Sequence, residues 1–315
     1  MKLSVVIPCY RSEKTIAGIV DRVISAIQGE RNTLFDAYEV VCINDCSPDN
    51  TIQVLKELSE DNKNVKVIDL TRNYGQHAAL MAGFNVVTGD RILCLDDDGQ
   101  NPPEDMFDLL DKLEEGYDLV SAKYISEHRP LIRTVGSKIS MAMSTHLIGM
   151  PKGIELNSFC AFKRFIADEI VKYRNPYPFV HGLMLRVTRN IANVDMIRND
   201  RESGVSGYTF HKLLSLWLNG FTAFSVTPLR AASACGVISA LLGFVIMIVT
   251  IIRKIMNPEI MAGYSSLMAV LMLFFGLTML FLGLIGEYIG RMYICINDAP
   301  QYSVRETINI QKKKN

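Results

Sequence analysis

Asp96-Asp97-Asp98-Gly99-Gln100 follows directly on the apolar run Ile92-Leu-Cys-Leu95. Residues two apart in extended chain project to one side, so the carboxylates of Asp96 and Asp98 are expected together. Two such carboxylates repel unless a cation lies between them. Hard divalent ions accept carboxylate oxygens and keep positions for substrate phosphates, so Mg²⁺ or Mn²⁺ held with a diphosphate is the expected occupant; the alternative is an acidic surface turn. Next, Asn101-Pro102-Pro103-Glu104 reads as an N-cap, a proline at the first helical position and a capping carboxylate. Asp45 ends another apolar run and can accept hydrogen bonds from a base or ribose, or cap the helix that follows. Arg72 and Gln76 are candidates for phosphate or sugar contact, while the neighbouring His77 is read as structural.

These residues need a scaffold that brings loops together. Apolar runs at Leu3 to Ile7, Tyr38 to Ile43, Val65 to Leu70, Arg91 to Leu95 and Tyr117 to Ala122 alternate with segments of helical periodicity at Glu13 to Ile27, Thr51 to Leu58, Gln76 to Val87 and Glu104 to Leu113. The expected fold class is α/β, a mostly parallel sheet covered by helices on both faces. Ligands in such sheets bind at the carboxyl ends of the strands, where Asp45, Arg72, Gln76 and Asp96 to Gln100 lie. No Gly-x-Gly-x-x-Gly or Walker loop follows any of these strands, which disfavours a dinucleotide dehydrogenase and a P-loop ATPase.

The 315 residues include 33 basic and 33 acidic side chains. Zero net charge removes the electrostatic case for a nucleic-acid partner. Mean hydropathy is +0.17, and the apolar excess lies after residue 230. Ala231 to Ile252 and Tyr264 to Gly286 carry no charge; each is long enough to cross a hydrocarbon core of about 30 Å. Two crossings return the chain to the side it left. The expected organisation is a cytoplasmic domain over 1–210, an amphipathic interfacial helix over 211–230, two transmembrane helices over 231–290 and a cytoplasmic tail over 291–315. Lys212, Arg230, Arg291, Arg305 and Lys312 to Lys314 then fall inside, against Arg253 and Lys254 outside. The apolar stripes Leu213 to Phe221 and Leu131 to Leu147 are candidates for helices along the bilayer surface, core packing being the alternative. Gly286-x-x-x-Gly290 resembles a close-packing face, within the hairpin or in a homo-oligomer. Seven cysteines without a Cys-x-x-Cys pair fit a reducing compartment.

Together the motifs resemble the membrane-anchored polyprenyl-phosphate glycosyltransferases of glycosyltransferase family 2. The likeness rests on Val5-Val-Ile-Pro8, Asn44-Asp45-x-Ser47-x-Asp49, Arg72-Asn-Tyr-Gly-Gln-His77, Asp96-x-Asp98-x-Gln100-x-Pro-Pro-Glu104, Gly204-x-Ser-Gly-Tyr-x-x-x-Lys212 and Gly286-Glu-Tyr-Ile-Gly-Arg291. It implies a Rossmann-like nucleotide-sugar domain of the glycosyltransferase type A fold, in the inner or plasma membrane. Asp96, Asp98 and Gln100 would be catalytic, with the metal on Asp98. Pro8, Tyr10, Glu13, Asp45, Arg72, Gln76 and Asp97 would contact the nucleotide. The partners implied are a nucleotide sugar, with UDP-glucose the family's first suggestion, and an undecaprenyl-type polyprenyl phosphate that receives the sugar with inversion. Arg133, Lys138, Arg201 and Lys212 are the cations expected to hold the acceptor phosphate. The likeness departs at Ser158-Phe159-Cys160, where the family carries Ser-Phe-Arg; Lys163, Arg164 and Arg198 are the possible substitutes. It departs again at Cys295 and Ala299, where the family carries Glu and Arg. A noncatalytic membrane-tethered scaffold and a processive polysaccharide synthase are the competing readings. The second expects a Gln-x-x-Arg-Trp motif, and the single tryptophan, Trp217, sits in Ser-Leu-Trp-Leu.

Overall fold

The computed structural model describes residues 1–124, 150–197 apart from 152, 263–297 and 300–310, with scattered positions between 234 and 256. Runs rich in β-branched residues form the central strands: β1 (Lys2–Cys9), β2 (Ala37–Asn44), β3 (Val65–Leu70), β4 (Arg91–Cys94) and β5 (Leu119–Tyr124). Between them lie α1 (Ile16–Gln28), α2 (Thr51–Asp61), α3 (Gln76–Phe84) and α4 (Met106–Glu114). The expected alternation is therefore present. Three strands were not anticipated: β6 (Cys160–Lys163), β7 (Ile191–Met196) and β8 (Val304–Ile308). Helices α5 (Arg164–Ile170) and α6 (Val180–Val187) lie between β6 and β7.

The eight strands run in the order β7-β5-β6-β4-β1-β2-β3-β8. Pairings β1–β2, β1–β4, β2–β3 and β5–β7 are parallel, and β6 enters antiparallel between β4 and β5. Strand alternation divides the core. Leu3, Val5, Ile7 and Cys9 of β1 pack with buried residues of α1, α2 and α4, whereas Val6 meets α3. That approach is close: a Cβ on Gly83 would lie 2.7 Å from Val6 Cγ1 and 2.9 Å from Ile43 Cδ1, so α3 needs a glycine there to reach the sheet.

The tail differs from expectation. Residues 298–315 cluster with 1–209 as one compact unit, and 210–297 form a second. The cause is β8, whose backbone completes the edge of β3 in antiparallel register, Val67 opposite Ile308 and Ile68 opposite Thr307; pairing the edge satisfies amides that would otherwise face solvent. In the second unit, α7 (Tyr264–Ile296) is a continuous helix of 33 residues, about 50 Å at 1.5 Å per residue. Taken over the described side chains alone, no helix is long and apolar enough to cross a membrane. Described positions between Ala234 and Met256 are helical, and the stripes at 131–147 and 213–221 lie outside the described residues.

At the amino end of the strands, Glu39 is buried and serves the fold. Its carboxylate accepts from Lys66 Nζ at 2.6 Å, Lys2 Nζ at 2.9 Å, Ser4 Oγ at 2.6 Å and Thr88 Oγ1 at 2.8 Å. Burial opposes its ionisation, but Lys66, Ser4 and Lys2 outweigh burial and bring the pKa from 4.5 to about 2. A lowered carboxyl pKa contributes stability above the unfolded value, and that contribution is lost as pH falls through about 2. Glu39→Gln leaves two lysines without their counter-ion and is expected to cost about 3 kcal/mol at neutral pH. It should also make the acid loss of stability shallower. Thermal melts across pH check both; an unchanged midpoint would contradict this role.

Candidate active site

The carboxyl ends of β1, β2, β3 and β4 open into four loops, and three carboxylates stitch those loops together. Asp45, just past β2, is buried and holds the loop after β3: Oδ1 accepts from the Tyr74 amide at 2.7 Å and Oδ2 from the Gly75 amide at 2.8 Å. Burial raises its pKa and outweighs these two bonds. Asp45 does not cap α2, where Asp49 instead accepts from the Thr51 amide and hydroxyl. Glu13 braces the same region, with its Oε2 accepting from the Asn50 amide at 3.0 Å.

Asp96 and Asp97 take different partners. Strand β4 ends at Cys94, so the extended geometry that would project Asp96 and Asp98 together does not continue through them. The antiparallel register that sets Cys94 opposite Cys160 brings Ser158 to Asp96 two residues further on. Ser158 donates to Asp96 Oδ2, Gln76 Nε2 donates to Oδ1 at 2.8 Å and Asn101 Nδ2 reaches Oδ2 at 3.4 Å. Asn101 also accepts from the Tyr124 hydroxyl, so its side chain is not the expected helix cap. Glu104 likewise turns away from a capping box, into a two-bond pair with Arg22 at 2.8 Å. Asp97 reaches back to the loop after β1, accepting from the Tyr10 amide at 2.8 Å and from Ser12 Oγ.

Asp98 belongs to a tight turn. Gly99 has φ +71°, a left-handed conformation that suits glycine, and the Gln100 amide donates to Asp98 Oδ1 at 3.1 Å. The carboxylate of Asp98 and the side-chain amide oxygen of Gln100 are hard donors of the kind Mg²⁺ and Mn²⁺ accept. Among the described residues no group of three or more His, Cys, Asp and Glu forms a self-sufficient metal cage. This donor set suits an ion that shares its coordination with a bound phosphate.

Other expected residues divide. Pro8 is buried within β1, Tyr10 is exposed, and Arg72 is exposed with its guanidinium 4.6 Å from the Tyr74 ring centre. His77 packs edge-on against Phe179 and His181; burial, with His181 beside it, lowers its pKa to about 3, in keeping with a structural role. Lys163 and Arg164 cannot replace the arginine whose place Cys160 takes. They lie at the amino end of β4, with Lys163 on Asp118 at 2.9 Å and Arg164 on Asp168 at 2.8 Å. Arg133, Lys138, Arg198, Arg201 and Lys212 lie outside the described residues. Sequence reading passed over Ser12, Asn101 and Tyr124 as site residues and met Ser158 only inside a family motif; the antiparallel return that brings Ser158 to Asp96 leaves no periodic signal in four residues of β6.

Burial raises the Asp97 pKa to about 6, against the Ser12 and Tyr10 bonds that oppose the rise. The folded chain therefore holds this proton longer than the unfolded chain, and its favourable contribution, complete below the unfolded value of 3.8, is lost as pH rises through 6. Asp97→Asn keeps an acceptor for the Tyr10 amide without the charge. Its thermal midpoint should gain on that of the wild type from about pH 4 to about pH 6; a difference independent of pH would contradict the assignment.

Residues 4–171 match the family described as Glycosyl transferase family 2, and residues 227–292 match the GtrB C-terminal hairpin. The chain is 34% identical over 315 residues to the undecaprenyl-phosphate 4-deoxy-4-formamido-L-arabinose transferase of Proteus mirabilis, covering 99% of this chain and 95% of that protein. It is 32% identical over 318 residues to the uncharacterized glycosyltransferase YkcC of Bacillus subtilis, covering 100% and 96% respectively. Mannosyl-3-phosphoglycerate synthase of Rubrobacter xylanophilus shares the fold, with a TM-score of 0.57 at 18% identity over 74% of this chain and 75% of that one. A mixed sheet with acids gathered in the loops after β2 and β4 thus coincides with a family match over more than half the chain: the protein belongs to glycosyl transferase family 2 and is a glycosyltransferase.

Proposed function

We propose that this enzyme transfers a sugar from a nucleoside diphosphate, UDP in the first instance, to a polyprenyl phosphate of the undecaprenyl type at the cytoplasmic face of a membrane. One observation carries the donor half: Asp45, Asp96 and Asp97 are each engaged by donors from a neighbouring loop, and the Asp98-Gly99-Gln100 turn stands among them. The acceptor half is supported by near full-length similarity to a transferase whose name specifies undecaprenyl phosphate.

The residues divide the work. Asp98, with Gln100, holds a divalent ion, and that ion when bound supplies Lewis-acid stabilisation to the departing diphosphate. Asp45 with the Tyr74-Gly75 backbone, together with Tyr10, Glu13 and Arg72, lines the nucleotide side. Asp96 fixes the relative positions of Gln76, Asn101 and Ser158. A phosphate monoester has a second pKa near ~6, so the acceptor is largely ionised at neutral pH and needs little general-base help. Direct attack of that phosphate on the anomeric carbon inverts its configuration. Arg133, Lys138, Arg201 and Lys212 are assigned to the acceptor phosphate.

Chain topology constrains the anchoring. Because β8 pairs with β3, the segment 210–297 leaves and rejoins one folded unit, so any crossings of a bilayer within it are even in number. Ala231 to Ile252 and Tyr264 to Gly286 supply two uncharged spans, and the hairpin match supports them.

Purified full-length enzyme, undecaprenyl phosphate, a panel of nucleotide sugars and Mg²⁺ or Mn²⁺ test the reading. One donor should yield a lipid-linked sugar, and chelation should abolish the product. Asp98→Ala should lower turnover by at least about a thousandfold with an unchanged thermal midpoint and unchanged membrane association; full residual activity would refute the role of Asp98.

A further inference from the structure

The segment after α7 makes more contacts than an edge strand requires. Gln301 Nε2 donates to the carbonyls of Tyr173 at 2.7 Å and Asn175 at 2.8 Å. The Ser303 carbonyl accepts from the Thr71 amide at 2.9 Å, and Thr71 Oγ1 lies 3.2 Å from the Tyr74 hydroxyl. Arg305 then bridges two points: Nη1 to Asp69 Oδ2 at 3.0 Å and Nη2 to the Thr71 carbonyl at 3.1 Å.

An exposed ion pair is ordinarily worth little, but this one is different. The Asp69 side chain is only 5% exposed. Its other oxygen accepts from Asn44 Nδ2 at 2.7 Å, and Asn44 in turn accepts from the Ser47 amide at 3.2 Å. The guanidinium therefore ties the end of β3 and the start of its loop to the loop after β2. The Thr71–Gly75 loop is held at its start by Ser303 and Arg305 and at its end by Asp45. A planar guanidinium can satisfy a carboxylate and a carbonyl together, which a lysine ammonium does less well.

We propose that residues 301–305 act as a strap for the donor site, and that Arg305 is a positioning residue that sets the Thr71–Gly75 loop against Asp45 for binding a nucleoside diphosphate. The strap makes donor affinity depend on a segment that rejoins the fold only after the apolar hairpin. This rests on the reading of Asp45 and its loop as the nucleotide side of the site.

Titration of the full-length enzyme with UDP, GDP, CDP and ADP in the presence of Mn²⁺ separates the two ideas. If the wild type binds none of them, the donor reading fails and the strap fails with it. If it binds one, Arg305→Met should weaken that Kd about tenfold, the scale of a lost charge-assisted hydrogen bond, and raise donor KM equally while leaving kcat unchanged. Arg305→Lys should restore the thermal midpoint but only part of the affinity. Glu306→Gln, which breaks the exposed pair of the same strand with Lys56, should leave affinity unchanged. Wild-type Kd in Arg305→Met, or a loss confined to the folded fraction with kcat falling and Kd intact, would overturn the proposal. Should Arg305→Met not fold, the Kd of Arg305→Lys decides: reduced affinity supports the strap and wild-type affinity overturns it.

Discussion

The site depends on acids that hold chain segments from other strands. A carboxylate near the sheet's end is costly unless donors meet it, and here the donors come from loops far away in sequence. Asp45 takes amides from the loop after β3, Asp97 an amide from the loop after β1, and Asp96 the side chains of Gln76 and Ser158. Meeting the cost of each charge thereby fixes the position of a loop. The same physics at the amino end of the strands gives Glu39 two lysines and two hydroxyls and yields a structural joint. Position along the strands separates the two uses.

Much of this was legible in the sequence. Parallel strands with intervening helices announce themselves by apolar runs and helical periodicity, and β1 to β5 fall close to where those patterns end. The antiparallel insertions do not: β6 has four residues, and β8, with Arg305 and Glu306 at its centre, carries little apolar signal. Asp-x-Asp spacing implied a shared face only for extended chain, and the chain leaves that geometry at Cys94. Asn101 and Glu104 have capping chemistry, yet the tertiary partners Tyr124 and Arg22 claim them instead. Local propensity gave way to contacts more than 20 residues distant, which no window of sequence contains.

The chain path also bears on the proposed anchoring. A sheet whose final strand follows a long apolar segment obliges that segment to return, so for a segment entering a bilayer the topology favours paired crossings over a single anchor. A soluble sugar donor and a lipid-borne acceptor are the substrates such a chain is suited to bring together. Its acids hold the loops at one end of the sheet, and the Asp98-Gly99-Gln100 turn is the place proposed for the metal.

The most direct test is an experimental structure of the enzyme with Mn²⁺ and its nucleoside diphosphate. The account predicts the ion bonded to Asp98 and the diphosphate, with Asp96 still bonded to Gln76 and Ser158 and Asp45 still bonded to the Tyr74 and Gly75 amides. An ion on Asp96 or Asp97 with those bonds broken, or a nucleotide bound away from these loops, would contradict it.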